Sequence, residues 1–269
     1  MTIRRSVAAL AGVAGTALLV GAVLHHSSRS PKTRAALQQA IALEAGRLPP
    51  PEKPAFRVGT PRPLSPHETR ARYAPVTRAV VARAAPAAGA PPIASLDVST
   101  PEGTTNIVLV IGERERPGGL WIHVRLPVLP NGLTGWVPRS ALGGYGFVHT
   151  HLVVDRGRLR ATLYRNGREV FAAPIGVGRP EAPTPGGQFY VRDRLNGFGD
   201  PFYGPIAFGT SARSAVLTDW PGGGFVGIHG TNEPDLIPGR ISHGCVRLRN
   251  ADILRLSRLM PVGTPVTIR

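Results

Sequence analysis

Asn166-Gly167 lies between two segments, 159–164 and 169–173, in which apolar and polar residues alternate. An Asn-Gly pair tolerates positive φ at both positions, as a two-residue hairpin turn requires. The feature commits this part of the chain to antiparallel β-structure. Its surroundings agree. Segments 152–155, 174–178, 188–191, 224–228 and 264–268 are short and apolar or β-branched, and Thr184-Pro185-Gly186-Gly187 is a turn. The stretch 196–205 is rich in Gly, Asp and aromatic residues and reads as a loop. One helix interrupts the pattern. Asn250 suits an N-cap and Asp252 its first turn, Ile253, Leu256, Leu259 and Met260 share a face, and Pro261 ends it. The expected class is mainly β with one helix, over a domain spanning 146–269.

Upstream, short strands recur from 76 to 145. Segments 79–82, 107–111 and 120–124 are strand candidates, and Asn131-Gly132 marks another tight turn. Trp121 and Trp136 read as core residues rather than ligand stackers. Residues 25–75 carry Pro49, Pro50, Pro51, Pro54, Pro61, Pro63, Pro66 and Pro75 among arginines, and read as an extended linker. Its piece 33–45 is rich in Ala, Leu and Gln and can form a short helix.

At the N-terminus, Arg4 and Arg5 precede an apolar run within 1–24. About 18 helical residues at 1.5 Å each span roughly 27 Å, near a bilayer core. The preceding positive charge orients the remainder outward. The run ends in Val23-Leu24-His25-His26, a poor cleavage site, so an uncleaved transmembrane anchor is favoured over a signal peptide. Secretion after cleavage is the alternative. The expected location is therefore exported, anchored in the cytoplasmic membrane and facing the cell wall or periplasm. The formal net charge is +16, with Lys32 and Lys53 the only lysines. From residue 149 onward there are 15 Lys and Arg against 9 Asp and Glu, so most of the excess lies upstream. Export argues against a nucleic-acid partner and for an anionic surface or polymer.

Export also sharpens the meaning of Cys245, the only cysteine in 269 residues. No intramolecular disulfide can form, so the thiol is either buried and inert or kept for chemistry. It lies in the run His229-Gly-Thr-Asn-Glu-Pro-Asp-Leu-Ile-Pro-Gly-Arg-Ile-Ser-His-Gly-Cys-Val-Arg. A histidine within reach can take the thiol proton and form an ion pair, and backbone amides beside glycine can hold an oxyanion. His229 ends an apolar strand. His243 is two residues from Cys245, on the same side if the segment is extended. Sequence physics does not separate them as the base. Two other readings use the same chain. His229, His243 and Cys245 are ligand types for a zinc hydrolase, but their spacing fits no zinc pattern. A catalytically inactive wall-binding protein is the other.

The run resembles the signature of the L,D-transpeptidase (YkuD-type) family: His-Gly-Thr, a spacer containing Pro, then Ser-x-Gly-Cys-Val-Arg. Pro174-Ile175-Gly176-Val177-Gly178 and Thr184-Pro185-Gly186-Gly187 add to the likeness. The resemblance implies a β-sandwich with Cys245 as nucleophile and His229 as base, oriented by the Gly230 carbonyl. It implies that His243 and Gly244 shape the loop, with the amides of Gly244 and Cys245 as oxyanion donors. Arg247 would hold the loop or a substrate carboxylate, and Ser242 and Thr231 would brace the loop. Pro238 departs from the small residue common there. The implied reaction cuts a peptidoglycan tetrapeptide stem after its third residue, releases D-Ala and transfers the acyl group to an amine of another stem. It needs no cofactor and no metal, and a monomer is expected. Segment 76–145 resembles a small bacterial SH3-like barrel, through Trp121, Val124-Arg125 and Gly135-Trp136-Val137-Pro138-Arg139.

Overall fold

The computed structural model describes residues 70–196, 200–217 and 224–269. The expected anchor at 1–24, the helix at 33–45 and most of the linker lie outside the described residues. No helix among the described residues is long and apolar enough to cross a membrane.

Seven short strands form the first module: β1 (Ala71–Pro75), β2 (Val80–Arg83), β3 (Pro92–Leu96), β4 (Ile107–Arg116), β5 (Gly119–Arg125), β6 (Thr134–Pro138) and β7 (Gly146–Val148). Their order in the sheet is β3-β2-β6-β5-β4-β1-β7. Alternation along β4 and β5 turns Val108, Val110, Ile122 and Val124 into one core with Val137. Trp121 is buried. Trp136 is half-buried and stacks on His123, with ring centroids 4.5 Å apart. Two boundaries shift. The expected linker ended at 75, but 71–75 is β1, paired with both β4 and β7. The module extends to 148 rather than 145, because β7 completes that pairing. Ala71-Arg-Tyr-Ala-Pro has too little apolar alternation to announce a strand, and its partners lie tens of residues downstream.

The second module holds β8 (Thr150–Asp155), β9 (Arg160–Arg165), β10 (Arg168–Pro174), β11 (Gly176–Gly178), β12 (Gly187–Asn196), β13 (Ile206–Arg213), β14 (Phe225–His229), β15 (Gly239–Ser242), β16 (Val246–Arg247), helix α1 (Asn250–Ser257) and β17 (Pro265–Ile268). The β9–β10 hairpin turns at Asn166 (φ 51) and Gly167 (φ 76), the backbone that Asn-Gly suits. The ten strands run β10-β9-β8-β17-β12-β13-β14-β16-β11-β15. A single hydrophobic cluster draws on both halves of this order, from Phe171 of β10 to Val177 of β11, and the helix adds Ile253 and Leu256. Among the described residues the fold is thus mainly β with a single α-helix. β13 escapes the sequence reading because Gly209, Thr210 and Ser211 dilute its apolar character. Yet six of its eight residues are buried.

The modules meet across a small junction inside one compact unit. The Tyr190 hydroxyl donates to the Ile107 carbonyl at 3.0 Å, within a cluster that includes Ala71, Leu109 and Val148. The Asn131 amide group donates to the Arg213 carbonyl at 2.7 Å, and its oxygen accepts from the Arg213 N–H at 2.9 Å.

Candidate active site

Two parallel neighbours, β14 and β16, build the site. Their register pairs Ile228 with Val246 and His229 with Arg247. Ile228 and Val246 point into the core and are fully buried. Alternation sends His229 and Arg247 to the other face, with Gly227 and Cys245 one step back on the same face. His229 and Cys245 are therefore diagonal neighbours, although 16 positions apart in sequence. The space between them confirms the layout. A Cβ on Gly227 would lie 3.6 Å from His229 Cδ2 and 3.7 Å from Cys245 Sγ. Gly227 also donates its N–H to Sγ at 3.3 Å.

His229 is 2% exposed. Its Nδ1 lies 2.7 Å from the Gly230 carbonyl, which can only accept, so Nδ1 carries the proton and Nε2 has a free lone pair. Tyr203 packs edge-on against the imidazole at 5.0 Å, and Phe202 lies at 6.2 Å. Burial lowers the His229 pKa to about 4, with nearby Arg247 adding repulsion, against the opposing pull of the Gly230 carbonyl. Burial likewise pushes the Cys245 thiol up, against smaller opposing pulls from the Gly227 N–H and Arg247. Both shifts favour neutral groups. Desolvation of both partners thus works against the ion pair that the sequence allows.

The loop before Cys245 is tied down by hydroxyls. Ser242 Oγ accepts from the Gly244 N–H at 3.1 Å and donates to the Cys245 carbonyl at 2.6 Å. Thr184 Oγ1 accepts from the Gly178 N–H and donates to the Gly244 carbonyl, both at 2.8 Å. Gly244 holds φ 121, a left-handed backbone suited to glycine. Its amide, expected as an oxyanion donor, donates to Ser242 in this structure. Among the described residues no acceptor is bonded to the Cys245 N–H.

The other expected residues fall around this core. Thr231 Oγ1 accepts from the Glu233 N–H at 3.0 Å and so braces its turn. Arg247 is 3% exposed. Its Nη1 lies 2.8 Å from Glu233 Oε2, and its guanidinium covers the Phe202 ring at 4.1 Å. His243 is exposed and lines the pocket mouth with Ser242. Pro238 follows a cis peptide bond. Asn250 does not cap the helix. Its Oδ1 accepts from the Thr231 N–H at 2.9 Å, across to the His229 turn. Phe202, Tyr203, Gly227, Thr184 and Asn250 are site residues that the sequence does not single out. Only Thr184, inside the Thr-Pro-Gly-Gly motif, carries a sequence signal. Among the described residues no three His, Cys, Asp or Glu side chains cluster to hold a metal, so the zinc arrangement of His229, His243 and Cys245 is not formed.

Cys245 and His229 open onto a cleft of about 500 Å³. Its walls come from β12, β13 and β14, and Glu102 of the first module lines it as well. The class that fold and site define is a mainly β domain with a partly accessible thiol and a buried imidazole facing one cleft. Comparison with known proteins shows what that domain is similar to. Residues 149–268 match the YkuD model of the L,D-transpeptidase catalytic domain. YkuD of Bacillus subtilis is 36% identical over 118 residues, covering 44% of this chain and 65% of the relative. YbiS of Escherichia coli is 31% identical over 138 residues, covering 44% of each. Both are named as L,D-transpeptidases. The chain thus spans less than two thirds of these relatives. A crystal structure of Enterococcus faecium L,D-transpeptidase is 27% identical, covering 45% of this chain and 49% of that one, at TM-score 0.35.

Proposed function

We propose that the protein is a peptidoglycan L,D-transpeptidase with Cys245 as nucleophile and His229 as general base. The observation that carries this reading is the diagonal placement of the two side chains about Gly227, inside a domain that matches the L,D-transpeptidase model. His229 Nε2 takes the thiol proton as Sγ attacks the carbonyl carbon of the third stem residue. The Cys245 N–H holds the resulting oxyanion. Collapse expels the terminal D-Ala amine, which takes the proton back from His229 and leaves a thioester. An amine of a second stem then attacks the thioester carbon, its proton passes to His229, and the thiol is released. Because burial favours the neutral form of each group, proton transfer accompanies attack. The surrounding burial leaves the imidazolium costly and short-lived, so the proton is readily given to the leaving amine.

The test is mass spectrometry of the protein mixed with a carbapenem, read at the level of the modified residue. An acyl adduct on Cys245, absent in His229→Ala, is the expected result. A folded wild-type protein with no adduct, and no turnover of a tetrapeptide stem, overturns the reading. We read the first module as SH3-like and residues 1–24 as a membrane anchor on the sequence features given above. Release of the full chain from membranes by high salt alone would contradict the anchor.

A further inference from the structure

Thr184 lies 61 positions before Cys245 and touches neither Sγ nor the imidazole in any bond described above. We infer that Thr184 is a positioning residue for the oxyanion donor. This inference rests on the acyl-transfer reading of Cys245. The peptide joining Gly244 to Cys245 is planar, with its C=O and N–H pointing in opposite directions. Thr184 Oγ1 holds that C=O at 2.8 Å, so it sets the plane and turns the Cys245 N–H away from the 178–184 loop.

The hydroxyl is well placed to act as a fixed point. Thr184 is 1% exposed. The Gly178 N–H fills its acceptor side, so the one hydroxyl proton is directed at Gly244. Its own backbone is anchored by Arg156 Nη1, which donates to the Thr184 carbonyl at 2.7 Å. The loop closes tightly on itself: a Cβ at Gly178 would sit 2.3 Å from the Ala182 carbonyl oxygen. The Arg179 N–H then donates to the Ser242 carbonyl at 2.9 Å, docking this loop on the one that carries Cys245. Ser242 fixes the peptide before Gly244 and Thr184 the peptide after it. Gly244 at φ 121 would otherwise be free to swing.

The experiment separates oxyanion chemistry from thiol reactivity. Wild type, Thr184→Val and Thr184→Ser are compared for acylation of Cys245 by a carbapenem and for alkylation by iodoacetamide. Alkylation displaces iodide at a saturated carbon and forms no oxyanion. Thr184→Val keeps the volume and removes the hydroxyl. It is expected to slow acylation about 10- to 100-fold, somewhat less than outright loss of an oxyanion donor. Alkylation should stay within about twofold of wild type, and Thr184→Ser should recover most of the acylation rate. Equal acylation of Thr184→Val and wild type overturns the inference. So does a parallel loss of acylation and alkylation, or a failure of serine to rescue, since either marks a merely structural role. A wild-type protein that is alkylated but never acylated overturns the acyl-transfer reading, and the inference falls with it.

Discussion

His229 shows how a single buried ring links chemistry to stability. Its pKa is lowered to about 4 in the fold and lies near 6.5 in an unfolded chain. Between those values the unfolded state binds more protons, so stability falls as pH drops from 6.5 towards 4. The group contributes on the order of 3 kcal/mol to that loss, taken from the shift itself. Urea unfolding of His229→Gln should show a shallower decline between pH 7 and pH 4 than wild type. Equal slopes would show that the ring is not buried as described. Cys245 shifts the other way, upward. Its alkylation rate should therefore keep climbing above pH 8.5. A plateau from neutral pH would indicate a preformed thiolate–imidazolium pair. Asn250 acts at the same scale by holding the Thr231 N–H. Asn250→Ala should cost about 1 kcal/mol in thermal stability. It should also slow acylation more than alkylation if it aligns the His229 turn.

At the scale of elements, close approach matters more than propensity. The 3-10 turn Pro201–Tyr203 ends at Gly204, whose φ is 65. A Cβ there would meet Asn250 Oδ1 at 2.4 Å and Gly230 Cα at 2.6 Å. Gly204→Ala should destabilise the protein by about 2 kcal/mol or more, through backbone strain together with the clash. A thermal midpoint unchanged from wild type would contradict this packing. The β9–β10 hairpin is legible in the sequence, because Asn166-Gly167 and the alternation around it are local signals. The parallel pairing of β14 with β16 is not. It joins segments separated by a 16-residue excursion, and no local pattern sets its register. The helix face is legible through Ile253 and Leu256, although the helix stops at Ser257 instead of running to Met260. The role of Asn250 is not, because its partner is another chain segment rather than its own helix.

At the scale of the whole molecule, the modules share a junction that brings Glu102 to the cleft lined by His229 and Cys245. Tyr190 is fully buried there, with burial pushing its phenol far up towards the neutral form that donates to Ile107. Tyr190→Phe would leave a buried carbonyl without its donor and should cost about 1–3 kcal/mol. If the junction couples the modules, differential scanning calorimetry should show one transition that moves as a unit. Two transitions, with only one displaced, would show that they unfold independently.

The sequence by itself determined the β class, the helix that starts at Asn250, the hairpin at Asn166-Gly167 and the choice of the run from His229 to Cys245 as the candidate site. These follow from periodicity, turn chemistry and residue type, which act over a few positions. Tertiary structure decided the rest. It placed His229 beside Cys245 and gave the Gly244 amide Ser242 as its partner, while no described residue accepts from the Cys245 N–H. It also buried both groups, which favours their neutral forms. Each depends on which distant segments pack together and how much water they exclude, quantities that no short stretch of sequence contains.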